Sequence, residues 1–317
     1  MESLKELPNG TMISKYQIVF LIGAGGFGHV YKVIDLDTNQ SFALKTERND
    51  IKYSFLKNEV ECLANLKNPC FPCIHAQGTC EKFNYYVMNM YGLSISDICR
   101  STKLPLSLKL PICYKMFTII KTLHYLGFIH RDIKPSNFLI QQSATAPLVL
   151  VDFGLAVAYI NPTTGLPYKF DQKSFAGTKK YLSVFSHKKK QFGRRDDLIS
   201  WIYSCVEIIT GSLPWTPCET ETDLVYVKEV IKPDELCRNM PNAFCKIFTY
   251  LLTLSEEANP SYSSIDKDLK DAIKENNIDL KGTDWMSFYI DNVDFDGTRN
   301  SVSNFNDDNE GRGCNIY

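Results

Sequence analysis

The 317-residue sequence lacks any uninterrupted apolar run that approaches the ~18 residues needed to cross a membrane. The stretch from Met1 to Thr11 carries Glu2 and Glu6 and lacks the apolar centre of a secretory signal peptide. With a formal net charge of −1, the chain as a whole has no electrostatic attraction for nucleic acid or for an anionic membrane. These absences predict a cytoplasmic protein, with the nucleus as a second compartment, that binds neither membranes nor nucleic acid.

The sequence also lacks the cysteine pattern of a disulfide framework, since its eleven cysteines are scattered and odd in number. Several, including Cys113 and Cys205, lie inside apolar runs, which is typical of buried free thiols in a reducing compartment. Cys70 and Cys73 form a C-x-x-C pair, but no second pair follows at the spacing of a zinc site. We therefore interpret this pair as part of a packed strand.

The hydrophobic pattern predicts an α+β fold, with a small strand-rich lobe followed by a larger helical lobe. Apolar runs separated by turn residues predict the strands, and a 3.6-residue apolar stripe predicts a helix that carries Glu59 at its edge. The predicted elements of the first lobe are strands at Tyr16–Phe20, Val30–Ile34, Ser41–Lys45, Phe71–Gln77 and Asn84–Met88, and a helix within Asp50–Lys67.

After a connector near Asn89–Gly92, the apolar residues recur at helical spacing. One long helix ends at Gly127, and we expect Pro111 in its first turn, where a missing N–H costs little. From about Tyr289 the composition turns to Asn, Asp, Ser and Gly, which predicts a flexible tail. Further helices are predicted at Asp197–Thr210, Phe244–Leu254 and Tyr262–Asn276.

The most informative segment runs from His130 to Asn137 and is followed by an Asp-Phe-Gly triplet at 152–154. It contains a candidate proton acceptor, Asp132, and a candidate phosphate-binding cation, Lys134. Asn137 and Asp152 add oxygen ligands that suit magnesium. We interpret His130 as a residue that orients this loop rather than as a base. Phosphoryl transfer from a nucleotide to a hydroxyl group is the chemistry that needs this set in this order.

Two further features lie upstream of that segment. The glycine-rich sequence at 23–28 separates two predicted strands, and glycines allow backbone amides to approach phosphate oxygens closely. A G-x-G-x-x-G sequence also occurs in dinucleotide-binding folds, but there a helix follows it rather than a strand. Lys45 ends the next strand, and an ion pair with Glu59 would direct its ammonium group toward the α- and β-phosphates.

In this order and at this spacing, these motifs resemble the eukaryotic protein kinase family from Met12 to about Phe288. The resemblance implies a bilobal kinase domain at 12–288, with an N-lobe at 12–91 and a C-lobe at 92–288, flanked by an N-terminal extension at 1–11 and a tail at 289–317. It implies ATP and Mg²⁺ as cofactors and Asp132, Lys134, Lys45 and Glu59 as catalytic residues. Lys134 together with Thr178 is typical of serine/threonine kinases.

A narrower resemblance, to the casein kinase 1 group, is carried by Gly177–Ser183 and Gly193–Leu198, which stand where other kinases have Ala-Pro-Glu. Ile133–Phe138, Gly25–Gly28 and Thr163–Gly165 are similar to its tau-tubulin kinase branch. The chain has Leu182 and Phe185 where family members usually have Ala and Asn, so its peptide preference does not follow from the resemblance.

The same resemblance implies a nucleotide site in which Met88 is the gatekeeper and the backbone at Asn89–Tyr91 binds adenine. The residues implied to bind the nucleotide are Ile22, Gly23, Ala24, Gly25, Gly26, Phe27, Gly28, His29, Val30, Ala43, Lys45, Met88, Asn89 and Tyr91.

Basic residues crowd the segment that precedes Asp196, in which no acidic residue occurs: Lys179, Lys180, Lys188, Lys189, Lys190, Arg194 and Arg195. One interpretation is a solvated face whose charge is balanced elsewhere. The other is a substrate anion site formed by Lys180 and Arg194, which would attract acidic or already phosphorylated substrates. In the resembled group, a residue corresponding to Arg194 binds an anion.

The leading interpretation is therefore a monomeric serine/threonine protein kinase that acts on protein substrates with acidic or phosphorylated segments. The alternative is a pseudokinase, a scaffold or binding module without turnover. Loss of Lys45, Asp132 or Asp152 would favour that alternative, and all three are present. A kinase that acts on a small molecule is a third interpretation.

Overall fold

The computed structural model describes residues 5–25, 28–143, 145–160, 177–188 and 192–280. The chain forms two compact units, of which the first contains Met1–Leu93 and Ile140–Gly154 and the second contains Ser94–Leu139 and Leu155–Trp285. The sequence-based division assigned 140–154 to the C-lobe, and the limits of the lobes stay a prediction. The predicted tail at 289–317 lies outside the described residues.

The first unit is built on an antiparallel sheet of six strands. They are β1 (Met12–Ile13), β2 (Tyr16–Gly25), β3 (Gly28–Asp35), β4 (Gln40–Arg48), β5 (Ile74–Thr79) and β6 (Phe83–Asn89), in the spatial order β1-β2-β3-β4-β6-β5. Strand β5 begins at Ile74 rather than at Phe71, because Pro72 has no N–H with which to join a ladder. Otherwise the predicted strands lie within the observed ones.

Helix α1 (Phe55–Leu63) packs on this sheet through Leu56, which contacts a cluster that includes Ala43, Tyr86 and Met88. The opposite face of the strands forms a second cluster around Tyr31 and other buried residues of the sheet. Alternate side chains of a strand point to opposite faces, so both faces of β4 and β6 are buried. This packing places the residues of α1 against the middle of the sheet.

The start of α1 is fixed by two side chains. Ser54 accepts a hydrogen bond from the backbone N–H of Lys57, as an N-cap residue does. The buried Glu47 of β4 accepts from the N–H of Phe55 at 2.9 Å and from the N–H of Leu56 at 3.1 Å. A carboxylate at this end also complements the helix dipole. The sheet therefore sets the position of the helix as well as its first turn.

The second unit is mainly helical. Its helices are α2 (Ile95–Ser101), α3 (Leu106–Tyr125), α4 (Val184–His187), α5 (Arg194–Thr210), α6 (Glu221–Val230), α7 (Pro233–Leu236), α8 (Asn242–Thr253) and α9 (Tyr262–Glu275). Short strands β7 (Phe128–Ile129) and β10 (Val157–Ala158) of this unit pair with each other. Strand β8 (Phe138–Ile140) ends where the 140–154 segment of the first unit begins, and β9 (Leu148–Leu150) lies within that segment. Trp201 of α5 is fully buried and donates to the carbonyl of Cys113 on α3 at 2.9 Å.

The expectation that Pro111 lies in the first turn of the long helix is wrong. Helix α3 begins at Leu106, directly after Pro105, and Pro111 lies inside it. Pro111 has no N–H to donate to the Ser107 carbonyl, which costs stability in an isolated helix. Here Leu110, Ile112 and Cys113 are all buried beside it, so tertiary packing outweighs the local preference.

The α+β fold class predicted from the sequence is confirmed, since one unit holds the sheet and the other holds most of the helices. Within the described part of the chain, no helix is long and apolar enough to span a membrane.

We predict that Glu47→Ala lowers the free energy of unfolding by about 2–3 kcal/mol, because it removes a buried acceptor and leaves the N–H groups of α1 unpaired. Chemical denaturation monitored by circular dichroism measures this change. Glu61→Ala is the control, since that side chain is exposed and is 4.0 Å from Lys57, and we expect a change below about 0.5 kcal/mol. Equal effects of the two substitutions would contradict the capping role.

Candidate active site

Lys45 lies at the centre of the first unit's site. Its Nζ is 2.7 Å from Oε2 of Glu59 on α1 and 2.9 Å from Oδ1 of Asp152. Burial by itself would lower the pKa of Lys45, but the charges of Asp152 and Glu59 outweigh it and hold that pKa well above its ordinary value. The structure therefore brings together a permanent cation and two of the acidic residues singled out in the sequence.

Helix α1 also holds the backbone that follows Asp152. The N–H of Phe153 donates to Oε1 of Glu59 at 2.9 Å, and the amide of Asn58 donates to the Gly154 carbonyl at 2.9 Å. A Cβ at position 154 would lie 3.1 Å from Cβ of Phe55, so glycine permits the close approach of helix and loop. Two adjacent residues of one helix thus fix the Asp-Phe-Gly triplet.

Two non-glycine residues in the predicted motifs have left-handed backbone conformations. Asp152 has φ of 70° and Arg131 has φ of 72°. Such conformations cost on the order of 1 kcal/mol or more for L-residues and often occur at functional positions. In each case neighbouring hydrogen bonds compensate for the strain: Lys45 and α1 for Asp152, and a buried carboxylate described below for Arg131.

Strand β2 ends at Gly25, which pairs with Gly28 at the start of β3. Gly28 has φ of 127°, and a Cβ there would lie 1.8 Å from the carbonyl oxygen of Thr46. Only glycine fits at this position. Gly26 and Phe27, which were also predicted to bind the nucleotide, lie outside the described residues.

The remaining nucleotide residues are distributed over the same sheet. Ala43 of β4 and Met88 of β6 are paired in register, and both are buried. Asn89 ends β6, and Tyr91 follows it. Ile22, Gly23 and Ala24 lie on β2, and His29 and Val30 lie on β3. All of these positions belong to the first unit.

In the second unit, Asp132 is held on both carboxylate oxygens. The N–H of Thr178 donates to Oδ1 at 2.8 Å, and Nζ of Lys134 is 2.9 Å from Oδ2. The same ammonium group donates to Oγ1 of Thr178 at 2.8 Å, and Asn137 donates to the Asp132 carbonyl at 2.9 Å. The arrangement fixes the direction of one carboxylate with a cation beside it.

Asp197 is the residue of this site that the sequence analysis missed. It is fully buried on α5, and its Oδ2 and Oδ1 accept from the N–H groups of His130 at 2.7 Å and Arg131 at 2.9 Å. Nε2 of His124 lies 3.0 Å from Oδ2 of the same carboxylate. An acidic residue that opens a strongly apolar helix was a usable signal, because a buried carboxylate requires donors.

The loop itself is arranged around His130, which is fully buried and accepts a hydrogen bond at Nδ1 from the N–H of Asp132 at 3.3 Å. This contact lies within the loop and holds the backbone of Asp132.

The two predicted magnesium ligands lie in different units, Asp152 in the first and Asn137 in the second. The Asp152 side chain is 25% exposed, and its Oδ1 pairs with Lys45. The amide nitrogen of the buried Asn137 donates to the Asp132 carbonyl at 2.9 Å. Among the described residues no group of three or more His, Cys, Asp or Glu side chains could hold a metal ion. The magnesium ligands stay a prediction.

The basic segment is paired with acidic residues from other elements. Lys179, Lys180 and Lys188 lie 2.7, 2.6 and 3.1 Å from Glu221, Glu207 and Glu229 respectively. Arg194 donates to Oδ1 of Asn259 at 3.0 Å and to the carbonyls of Glu257 and Ala258. Lys189 and Lys190 lie outside those residues.

Helix α6 contacts the segment after Gly177 through Lys228. Nζ of Lys228 is buried and donates to the carbonyls of Lys179 and Leu182, both at 2.8 Å. It lies 3.3 Å from Nε2 of His187. Burial, and then the positive charge of Lys228, lowers the pKa of His187 to about 4. Leu182, which departs from the resembled family, packs against Ile129 and Phe192.

Comparisons with known proteins identify the family to which the chain belongs. A model of the protein kinase domain matches residues 16–275. A Dictyostelium discoideum protein named "Probable serine/threonine-protein kinase" is 31% identical over 260 residues, which are 80% of this chain and 52% of that protein. Casein kinase I homolog 3 of Schizosaccharomyces pombe is 33% identical over 262 residues, which are 78% of this chain and 59% of that protein.

The chain belongs to the protein kinase domain family, because the family model matches most of its length. It spans only 52% and 59% of the two relatives described above, so what those whole proteins do is not transferred to it directly.

The low pKa of His187 gives a pH dependence of known sign. Because an unfolded histidine has a pKa near 6.5, the unfolded chain binds this proton more readily, and stability falls as pH decreases from about 6.5 toward 4. We predict that His187→Gln removes part of this loss. The decrease in unfolding free energy between pH 7 and pH 5 should be smaller by about 1–2 kcal/mol than in the wild type.

Urea denaturation at the two pH values measures this difference. The control is His75→Gln, at an exposed histidine on β5, which should retain the wild-type decrease. A variant at position 187 with the full wild-type decrease would show that His187 is not the group responsible.

Proposed function

We propose that this chain is a serine/threonine protein kinase, an ATP:protein phosphotransferase that transfers the γ-phosphate of ATP to protein hydroxyl groups. The observation that carries the proposal is the position of Lys45, whose ammonium group lies within 2.9 Å of both Glu59 and Asp152. Membership of the protein kinase domain family and the names of the two relatives support it.

In this proposal the first unit binds the nucleotide. The paired strand ends at Gly25 and Gly28 offer backbone N–H groups to the phosphates, and Lys45, oriented by Glu59, binds the α- and β-phosphates. Ala43 and Met88 offer buried apolar surface to the adenine ring, and the backbone at 89–91 offers hydrogen bonds to its edge.

The second unit supplies the group that receives the substrate hydroxyl. Asp132 orients that hydroxyl and accepts its proton, and Lys134 neutralises charge on the transferred phosphoryl group. Asp152 and Asn137 are the residues that would hold Mg²⁺, which neutralises charge on the phosphate oxygens when bound. Orientation matters more than basicity in such a loose transition state, and the Asp132 carboxylate is fixed by Thr178 as well as by Lys134.

The alternative function is a pseudokinase scaffold, which keeps the fold but not the turnover. Lys45, Asp132 and Asp152 are present and carry the contacts described above, which favours the active enzyme. We also predict that the protein is cytoplasmic and monomeric.

We predict that Asp132→Asn lowers kcat by roughly 100- to 10,000-fold, because the amide cannot accept the hydroxyl proton. The measurement is transfer of radiolabelled phosphate from ATP, with Mg²⁺, to casein and to acidic peptides, followed by phosphoamino-acid analysis for serine and threonine. Nucleotide affinity should change little, since the residues assigned to ATP lie in the first unit.

Asp234→Asn serves as the matched control, because that aspartate is exposed on α7 and should retain wild-type turnover. Equal turnover in wild type and Asp132→Asn would overturn the catalytic assignment. No turnover in the wild type, with nucleotide binding intact, would favour the pseudokinase.

Within the kinases, we assign the chain to the casein kinase 1 group and to its tau-tubulin kinase branch. The motif at Gly177–Ser183 and the motif at Gly193–Leu198 support the group, as does the similarity to casein kinase I homolog 3. The assignment to the branch rests on the sequence motifs described above.

A preference for acidic or already phosphorylated substrates is the finer part of this proposal. Lys180 is 28% exposed and follows Thr178 closely in the chain, so its charge is accessible near the segment that contacts Asp132. To bind a substrate anion, Lys180 must give up its ion pair with Glu207, and this loss limits the gain in affinity for the substrate. Arg194 is engaged with three acceptors at 257–259, so its contribution would be weaker than that of Lys180.

We therefore predict that Lys180→Ala lowers the ratio of kcat/KM for a phosphorylated peptide to that for its unphosphorylated form by about three- to tenfold. Arg194→Ala should change the ratio less. Lys188→Ala is the control, because Lys188 forms a comparable exposed pair with Glu229. An unaltered ratio in both Lys180→Ala and Arg194→Ala would remove the anion site from the proposal.

A further inference from the structure

The N-terminal segment, residues 7–11, lies against the sheet of the first unit, although none of the roles above uses it. The N–H of Gly10 donates to the carbonyl of Ile18 on β2 at 2.8 Å, and the N–H of Ile18 donates to the carbonyl of Thr11 at 2.9 Å. The side chain of Leu7 packs against the buried cluster on the face of the sheet away from α1. Backbone pairing at one end and an apolar contact at the other therefore join this segment to the sheet.

Tyr31 connects the N-terminal segment with β3. Its side chain is fully buried, and its hydroxyl accepts a hydrogen bond from the N–H of Leu7 at 3.0 Å. The same oxygen lies 3.1 Å from Nδ1 of His29, two residues earlier on β3. A neutral imidazole has one nitrogen that accepts, so the hydroxyl can accept from Leu7 and donate its own hydrogen to His29. One buried oxygen thus links the segment to the first turn of backbone in β3.

The ring of His29 faces away from Lys45. Alternate residues of a strand point to opposite faces, so His29 lies on the face of Tyr31, whereas Val30 lies on the face that packs against α1. Lys45 pairs with Val30 in register and therefore shares its face. The rings of His29 and Tyr31 are in edge-to-face contact, with centroids 5.9 Å apart. A nucleotide beside Lys45 would therefore meet the backbone of His29 rather than its ring.

The start of β3 is the part of this strand on which the proposed nucleotide site depends. Gly28 comes first, and it has no side chain through which packing could hold it. Strand ends open more readily than strand centres. His29 is the first side chain of β3 that can be fixed, and Thr46 also holds this residue, because its hydroxyl donates to the His29 carbonyl at 3.2 Å.

We propose that the N-terminal segment holds the start of β3 in the position that binds phosphate, and that Tyr31 is the positioning residue that joins the two. The role rests on the proposed kinase function, because it concerns the strand end that offers amides to ATP. Tyr31 acts through His29 and touches neither nucleotide nor substrate. Nucleotide binding then depends on residues that lie before the matched kinase domain, which begins at residue 16.

The test is Tyr31→Phe, which removes the hydroxyl and keeps the buried ring. We expect KM for ATP to rise about three- to tenfold, because the start of β3 loses a hydrogen bond that fixes it. KM for the peptide and kcat at saturating ATP should change little, since Asp132 and its contacts lie in the second unit. Tyr85→Phe is the matched control, because Tyr85 belongs to the same buried cluster but lies on β6, and it should keep the wild-type constants.

Leu7 offers a second way to remove the same contact. Leu7→Pro deletes the N–H that Tyr31 accepts, whereas Leu7→Ala keeps that N–H and shortens the apolar side chain. Leu7→Pro should weaken ATP binding more than Leu7→Ala does. Because Leu7 is only half-buried, this comparison also serves if Tyr31→Phe lowers the amount of folded protein.

A double-mutant cycle separates the proposed contact from general destabilisation. Leu7→Pro added to Tyr31→Phe should raise KM for ATP little further, because both substitutions remove the same hydrogen bond. Additive effects in the cycle would overturn the proposal. Equal effects of Leu7→Pro and Leu7→Ala would overturn it as well.

Two readouts do not require turnover. Titration with Mg·ATP should show weaker nucleotide binding in Tyr31→Phe than in Tyr85→Phe. Backbone amides at positions 10, 18 and 29–31 should exchange with deuterium faster in the first variant only. If the wild type binds ATP but transfers no phosphate, the kinase proposal fails while these two measurements still decide the role of Tyr31. Unchanged affinity or unchanged exchange in Tyr31→Phe would refute that role.

Discussion

The carboxylate of Glu59 has no exposed surface, and the first unit is arranged so that its charge is matched. A buried charge without partners costs several kcal/mol, so each neighbouring element must present a donor to it. Strand β4 presents Lys45, and the loop after β9 presents the Phe153 amide. One side chain of α1 thus makes a helix, a sheet and a loop dependent on one another. Glu47 fixes the start of the same helix and completes the arrangement.

The second unit also contains a buried carboxylate whose charge is matched by several donors. Asp197 is also fully buried, and it matches its charge with two backbone amides and the ring of His124. Because those amides belong to His130 and Arg131, a rigid helix determines the path of the loop that presents Asp132. Each unit therefore positions the groups that we propose to act in phosphoryl transfer through a buried carboxylate, Glu59 in the first and Asp197 in the second.

The sequence predicted the features that depend on local pattern or on recognisable motifs. The pairing of Lys45 with Glu59 was foreseeable because a carboxylate on an apolar stripe and a strand lysine each need a partner. Asp197 was missed because two of its partners are backbone amides, which the sequence does not identify, although its position on an apolar helix was a usable signal. Lys179 and Lys180 pair with Glu221 and Glu207, which are distant in the sequence, so no local pattern predicts these ion pairs. The placement of Pro111 failed because packing of α3 overrode an isolated helix preference. The limits of the lobes, the individual site roles and the substrate preference stay predictions.

The left-handed conformations of Arg131 and Asp152 limit how far the thermal stability of this chain can be raised at these two positions. At both positions glycine would relieve the strain of the backbone. At 152 that exchange would delete the carboxylate that pairs with the buried Lys45. At 131 it would remove the guanidinium group but keep the backbone N–H that donates to Asp197. At position 152 the relief of strain is therefore outweighed by the loss of a buried ion pair, so the strained conformation is retained together with the charge that it carries.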